Sequence, residues 1–280
     1  MIGRRPNLIV ILAATILALA VGVALIGNVF TAHAVTDQAL LSRLKPPSWL
    51  GGEAAFPLGT DRIGRDMVAR LVAGLQMSLS VALLGTLIGA VFGTTVGFIA
   101  AHFRGWVEEA LMMLVDFQAS LPFILIALTL LAFFGNSMTL FIILMGMFGW
   151  ETYARLARGI VLSARAQPYA RAIEALGARP GRLYLRHILP NVASALIVQV
   201  TLTFPQIILL ETSLSFLGLG IQPPNTSLGQ ILGDGRDYLS TAWWISVWPG
   251  LAIFLITLSM SILGDALRDR LDPMLKTRTT

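Results

Sequence analysis

The run Phe117 to Trp150, FQASLPFILIALTLLAFFGNSMTLFIILMGMFGW, holds 34 residues without one formal charge. A membrane-spanning helix needs about 20 apolar residues at about 1.5 Å of rise each, so the run is too long for one span. Gly135-Asn136-Ser137 interrupts it in the middle, which divides it into two spans joined by a tight turn. Outward from it lie four more charge-free runs: Pro6 to Thr36, Leu71 to Phe103, His187 to Leu210 and Tyr238 to Gly264. The expected fold class is therefore all-α and polytopic, with six transmembrane helices near Leu8–Phe30, Met77–Ala101, Met112–Phe134, Met138–Arg158, Ile188–Leu217 and Trp243–Leu267.

Composition agrees. Of 280 residues 56% are hydrophobic and 12% charged, against roughly 25% charged in soluble domains. A disordered tail and a solenoid are excluded. With no Cys there is no disulfide framework, thiolate metal site or Cys nucleophile. The net charge of +5 would point to nucleic acid in a soluble protein, but in a lipid-embedded one the placement of the basic groups decides. The N-terminus, Ala101–Ala110, Arg155–His187 and the tail from Arg268 hold 14 of the 20 Lys and Arg. Positive-inside bias then puts both termini and the Arg155–His187 segment in the cytoplasm, and nucleic acid is not an expected partner. The first run also offers a signal-peptide pattern, Arg4-Arg5 before it and Ala32-His33-Ala34 after it. Its apolar stretch exceeds the roughly 7–15 residues of a signal core, so the first helix is expected to stay. Residues 1–76 read as an N-terminal helix plus an extracytoplasmic segment, and 77–280 as a core of five spans with a cytoplasmic loop at 163–187.

That loop, Ser163 to Gly177, reads SARAQPYARAIEALG. Pro168 can start a short helix and Gly177 can end it. Tyr169, Ala172, Ile173 and Leu176 fall on one apolar face, with Arg171 and Glu174 elsewhere. A helix this short needs a surface to dock on, either another protein or the lipid headgroups.

The spacing from Gly177 to Leu189-Pro190 resembles the EAA loop of permease subunits of bacterial ABC importers. Around it, ETSLSFLGLG (211–220), Gln222-Pro223-Pro224, Asp234-Gly235-Arg236, Trp248-Pro249-Gly250, GDALRDRLDP (264–273) and PLGTDRIGRD (57–66) resemble the second, "C"-type permease of dipeptide, oligopeptide and nickel uptake systems. The resemblance runs from the first helix almost to the C-terminus. One departure is local: Arg171 stands where the general EAA pattern has Glu, with Glu174 three residues on, and His187 stands where it has Ile.

The resemblance implies the type I ABC importer permease fold in a bacterial inner membrane. It also implies a coupling helix formed by Tyr169, Arg171, Ala172, Ile173, Glu174, Leu176 and Gly177, which docks on an ATPase. The implied partners are a second permease subunit in a heterodimer, two ATPase subunits and an extracytoplasmic substrate-binding protein. No P-loop is present: Gly22 with Gly27-Asn28 lacks the Lys and Ser/Thr. ATP and Mg are thus expected on the partner ATPase subunits, with no cofactor on this chain and no enzymatic activity of its own. The implied cargo is a peptide or a related small polar solute.

Within the spans, Gly85, Gly89, Gly93 and Gly97 recur every four residues, a stripe expected to let another helix approach closely. Gln199, Thr203, Gln206 and Ser213 form a polar stripe on the fifth helix, and Glu211 is an intramembrane acid there. These are the candidate translocation-pathway residues; interhelical hydrogen bonding is the other reading of the stripe, and a gate or anchoring role that of Glu211. Glu151 four residues before Arg155 is an expected ion pair, and Asp116 is expected to pair with the loop region or line the inner mouth. The segment Thr31–Gln76 looks irregular but ordered. His33, His102 and His187 have no ligand spacing, so a metal or acid–base enzyme has little support. A secondary transporter or channel working without an ATPase would require central intramembrane charges or inverted repeats, and the acids lie nearer the ends.

Overall fold

Proline and glycine set where several helices of this chain stop, and a buried ion pair sets where one of them starts. The computed structural model describes residues 8–29, 31–168, 172–173 and 180–271. Among them there is no strand, and one isolated bridge joins Thr60 to Asp66. The helices are α1 Leu8–Ile26, α2 Met67–Phe103, α3 Gly105–Ser120, α4 Phe123–Phe134, α5 Met138–Gly146, α6 Trp150–Ala166, α7 Leu189–Phe216, α8 Leu228–Gly235 and α9 Trp244–Leu271. A single turn at Pro180–Arg182 and a π-helical segment at Leu183–Ile188 lead into α7. Five stretches, Leu8–Val29, Met67–Phe103, Met138–Ala166, Val192–Phe216 and Trp244–Leu271, are long and apolar enough to cross a membrane; α3 and α4 make a sixth if taken as one bent span.

Three boundaries differ from expectation, each for a physical reason. The third span is not one straight helix. Its two halves meet at 85°, because Pro122 has no N–H to donate and its ring crowds the preceding turn. The fourth is broken at Met147–Gly149, with Gly149 at φ 77°, and then runs on past Arg158 to Ala166. The second begins at Met67, ten residues early. Asp66 caps it by accepting from the Val68 N–H at 3.0 Å, and the charge of Arg70, which seemed to mark a boundary, is neutralised inside the fold.

α2 is the central rod. At 37 residues it is about 55 Å long, well beyond the roughly 30 Å hydrocarbon core. It packs along α5 and α6 and also meets α7, while α9 lies against α7, α8 and α1. The main apolar core gathers Val81 and Ala82 of α2, Phe141 and Met145 of α5, Ile207 and Leu214 of α7 and Ile256 of α9. Residues 31–66 fold over the start of α2 in turns and short 3-10 pieces, pinned where Trp244 Nε1 donates to the Thr60 carbonyl at 3.0 Å. This region and α8 form the cap end of the bundle. The opposite end, where α2 and α6 finish and α7 starts, is the loop end.

Candidate functional site

The glycine stripe of α2 faces α5 and α6. A Cβ on Gly85 would meet Met145 at 2.9 Å, one on Gly89 the Gly146 carbonyl at 2.9 Å, and one on Gly97 the Ala157 Cβ at 2.8 Å. At Gly93 it would sit 2.2 Å from the Trp150 carbonyl oxygen and 2.8 Å from the Tyr153 Cβ. All four are buried. Backbone contact of this kind fixes α2 and α6 side by side.

The polar residues of α7 divide between two faces. Gln206 and Ser213 are exposed on the chain's surface, Gln199 is half-buried and Thr203 is buried. Gln199 Nε2 donates to Thr203 Oγ1 at 3.1 Å, and Thr203 Oγ1 donates to the Gln199 carbonyl at 3.0 Å. Gln199, Gln206 and Ser213 are spaced by seven, so they line one face. Cavities open at both ends of that face. One of about 420 Å³ at the loop end is lined by Gln199, Ser194, Val198, Leu202, Leu156 and Arg268. The other, about 460 Å³ at the cap end, includes Phe216, Leu217, Gln222, Arg62, Arg236 and Asp234.

Glu211, grouped with this stripe in the sequence, does not share its face. Five positions from Gln206 place it roughly 140° around the helix, and it is fully buried. Its carboxyl accepts from Ser78 Oγ of α2 at 2.9 Å and from Ser215 Oγ at 2.7 Å. Ser78 Oγ also accepts from the Leu228 N–H at 3.2 Å. Glu211 thereby ties α2, α7 and α8 together.

A second tie lies closer to the cap surface and centres on Arg70, which is wholly buried. Its Nη1 donates to Asp61 Oδ2 and its Nη2 to Asp234 Oδ2, both at 2.9 Å. One guanidinium thus bridges the cap, α2 and α8. Asp61 Oδ1 also accepts the Ile63 and Arg65 N–H groups at 2.9 Å, and Arg65 Nε donates to Oδ2 at 2.7 Å. Burial pushes the Asp61 carboxyl up, but Arg70, the Arg65 N–H and side chain and the Ile63 N–H outweigh it and hold the carboxyl below its ordinary value. Four of the six basic residues in the cap segments, Arg62, Arg65, Arg70 and Arg236, gather around Asp234 or its cavity. Sequence spacing did not reveal this, because Arg70 and Asp234 are 164 positions apart.

At the loop end, Ala172 is exposed and Ile173 is partly buried against a cluster of Ala101, Val161, Ala164, Tyr184, Ile188 and Val192. Tyr169, Arg171, Glu174, Leu176 and Gly177 lie outside the described residues. Above the cluster, the Tyr184 hydroxyl is hydrogen-bonded to His102 Nδ1 at 3.1 Å and accepts from Arg165 Nη1 at 3.2 Å. The expected Glu151–Arg155 pair does not form; Arg158, one turn on, reaches Glu108 of α3 instead. Asp116 is exposed on α3. Among the described residues no group of three His, Asp or Glu is placed to hold a metal.

The chain matches known proteins in sequence and in fold. Residues 93–277 match the family of binding-protein-dependent transport system inner membrane components. The chain is 40% identical to the di/tripeptide transport system permease protein DppC of Pseudomonas aeruginosa, over 83% of this chain and 77% of that one. It is 33% identical to the dipeptide permease DppC of Alkalihalophilus pseudofirmus, over 97% and 88%, and 36% identical to the glutathione transport system permease GsiD of Pectobacterium atrosepticum, over 81% and 75%. Among solved structures, it is similar in fold to a chain of the inward-facing MetNI methionine ABC transporter. That match has a TM-score of 0.57 and 20% identity, covering 74% of this chain and 98% of that one. This chain belongs to the family of binding-protein-dependent transport system inner membrane components, as a membrane-spanning permease subunit of the ABC importer type.

Proposed function

We propose that this chain forms one half of the translocation pathway of an ATP-driven importer for short peptides, with the exposed face of α7 lining the passage. The observation that carries this reading is the alignment of Gln199, Gln206 and Ser213 on one face, with a cavity at each end. Polar side chains on an otherwise apolar spanning helix favour protein or water over lipid tails. Peptide cargo is favoured because the relatives are named for dipeptides, tripeptides and glutathione. A second permease subunit supplies the other half. The segment 163–187, including Tyr169, Arg171, Ala172, Ile173, Glu174, Leu176 and Gly177, lies in the cytoplasm and docks on one of two ATPase subunits, which bind ATP and Mg. A substrate-binding protein delivers cargo to the cap end. Glu211 serves as an anchor between helices and not as a cargo contact.

This chain has no native Cys, so each introduced one is unique within it, and labelling is read on this chain after it is separated from its partners. In the assembled complex, Cys at Gln206 or Ser213 is expected to react with a water-soluble maleimide and to be protected by peptide. Cys at Phe254, an exposed apolar position on α9, is expected to stay unreactive. Equal reactivity at all three, without protection, would remove α7 from the pathway. ATP-independent peptide uptake by the chain reconstituted alone would overturn the importer reading.

A further inference from the structure

The loop end contains a polar contact that the proposed pathway does not use. Three helix termini converge on one phenolic oxygen: His102 in the last turn of α2, Arg165 in the last turn of α6, and Tyr184 on the segment entering α7. Arg165 Nη1 also reaches the Ala101 carbonyl at 3.4 Å, so α6 and α2 are joined beside the hydroxyl. The Tyr184 ring meets His102 edge-on, with centroids 5.4 Å apart, and tilts against Phe98 at 5.8 Å. Beneath it lies the apolar cluster that Ile173 touches.

The backbone carrying Tyr184 is π-helical from Leu183 to Ile188, with the Leu189 N–H bonded to the Tyr184 carbonyl. Such wide turns are uncommon and recur at functional sites. An apolar cluster of Ala, Val and Ile resists separation but has little directional preference. Hydrogen bonds weaken steeply when misaligned and therefore define a register. The elements thus differ in what they are suited to transmit: the Ile173 contact can bear a push, a π turn can give way, and the hydrogen bonds of the Tyr184 hydroxyl define which helix ends stay together.

We propose that Tyr184 is a positioning residue for transport, the joint through which displacement of the 163–187 segment is passed to α7 and to the end of α2. This rests on that segment being the ATPase contact. Tyr184→Phe keeps the ring in the cluster and removes only the hydroxyl. It is expected to leave complex assembly and ATP hydrolysis intact while disconnecting hydrolysis from α7.

The test uses the assembled importer with one Cys introduced into this chain at Leu209, an exposed α7 position on the same face as Gln206 and Ser213, and follows its maleimide labelling rate with and without ATP and vanadate. The parent is expected to show an ATP-dependent change in rate. In Tyr184→Phe that change is expected to shrink roughly fivefold or more, the scale of losing one or two hydrogen bonds, with ATP turnover retained. A purely structural tyrosine would instead lower assembly and turnover together. His102→Ala approaches the same contact from α2; it is expected to reduce the response, and the double variant to be no worse than Tyr184→Phe alone. A full response in Tyr184→Phe, or additive losses in the double variant, would overturn the proposal. Gly177→Val separates the levels: if it abolishes the response while Tyr184→Phe does not, the loop assignment stands and the joint falls. If Gly177→Val leaves the response intact, the loop assignment itself is wrong.

Discussion

The two ends of α2 are held by different chemistry. At the cap end Arg70 is wholly buried between Asp61 and Asp234, Asp66 caps the helix, and α8 is tied down again through Ser78 and Glu211. At the loop end α2 finishes among Ala101, His102 and Tyr184, where polar contacts are few and partly buried. A buried ion pair has one low-energy arrangement, and removing one partner costs about 3–5 kcal/mol. Single hydrogen bonds that water still reaches contribute about 1 kcal/mol each, or about 1.5–3 where the donor is charged as at Arg165, and permit alternatives. One rod therefore has a locked end and a yielding end, as expected if cargo delivery requires a fixed surface and ATP-driven motion a movable one.

The sharpest way to break this contrast is Arg70→Leu. It removes the buried guanidinium between Asp61 and Asp234 and leaves only Arg65, nearer the surface, reaching both carboxylates; a loss of about 3–5 kcal/mol is expected, measured as collapse of monodisperse protein in detergent. Arg70→Lys is not expected to rescue it, since a single ammonium cannot reproduce the two-armed bridge. A stable Arg70→Leu protein would show that the cap is not locked.

A smaller effect of the same network is its response to acid. The Asp61 carboxyl is held below its ordinary value, so the unfolded chain takes up the proton first. The contribution is fully present above the unfolded value of about 3.9 and disappears as pH falls through the lower folded one. Thermal unfolding midpoints should be flat with respect to this group from neutral pH to about 5 and should fall below about 4. In Asp61→Asn that acid-side decline should be reduced. An unchanged acid profile would mean that Asp61 is not a contributor.

Between the ends runs the glycine seam, and Gly93→Val tests whether it is rigid. The new Cβ would sit 2.2 Å from a backbone oxygen, which no side-chain rotation relieves, so a cost of about 1–3 kcal/mol is expected. Gly22, with nothing within 4 Å, is the matched control and should tolerate Val far better.

How much of this could be read in advance follows the range of the interaction. Charge-free runs located the spans because membrane burial acts on each segment by itself, and the glycine spacing pointed to a seam because helical periodicity is local. The expected start of α2 is late because the charge-free run begins only after Arg70, whose charge is neutralised by Asp61 and by Asp234, 164 positions away. The helix α8 lay in a stretch taken for loop, although Ser227 followed by Gln230 was a legible start signal: the Ser227 hydroxyl accepts from the Gln230 N–H at 3.1 Å. Glu211 was recognisable as unusual, but its face was not, since five residues of helix turn it away from Gln206 and Ser213. Tyr184 carried no signal at all. The hydrogen-bond partners His102 and Arg165 come from two distant helices, and nothing in the local sequence distinguishes it from a core tyrosine.

The smallest expected effect is at the loop end, where Arg158 pairs with Glu108 while its side chain remains 37% exposed. The Glu108 side chain is 17% exposed, so the pair is partly desolvated, but it gains less than a fully buried one because water still reaches the arginine and holding two long side chains costs entropy. Glu108→Gln should therefore shift stability by no more than about 1 kcal/mol, measured beside Arg70→Leu in the same detergent and salt. Raising ionic strength should shrink even that difference, since salt screens exposed charges far more than buried ones. The pair of measurements decides more than either alone. If Glu108→Gln cost as much as Arg70→Leu, the loop end would be as firmly locked as the cap, and an end locked that firmly has no low-energy alternative for ATP to select. Tyr184 would then be one more fastening, and any ATP-driven motion would have to enter the bundle somewhere other than the loop end of α2.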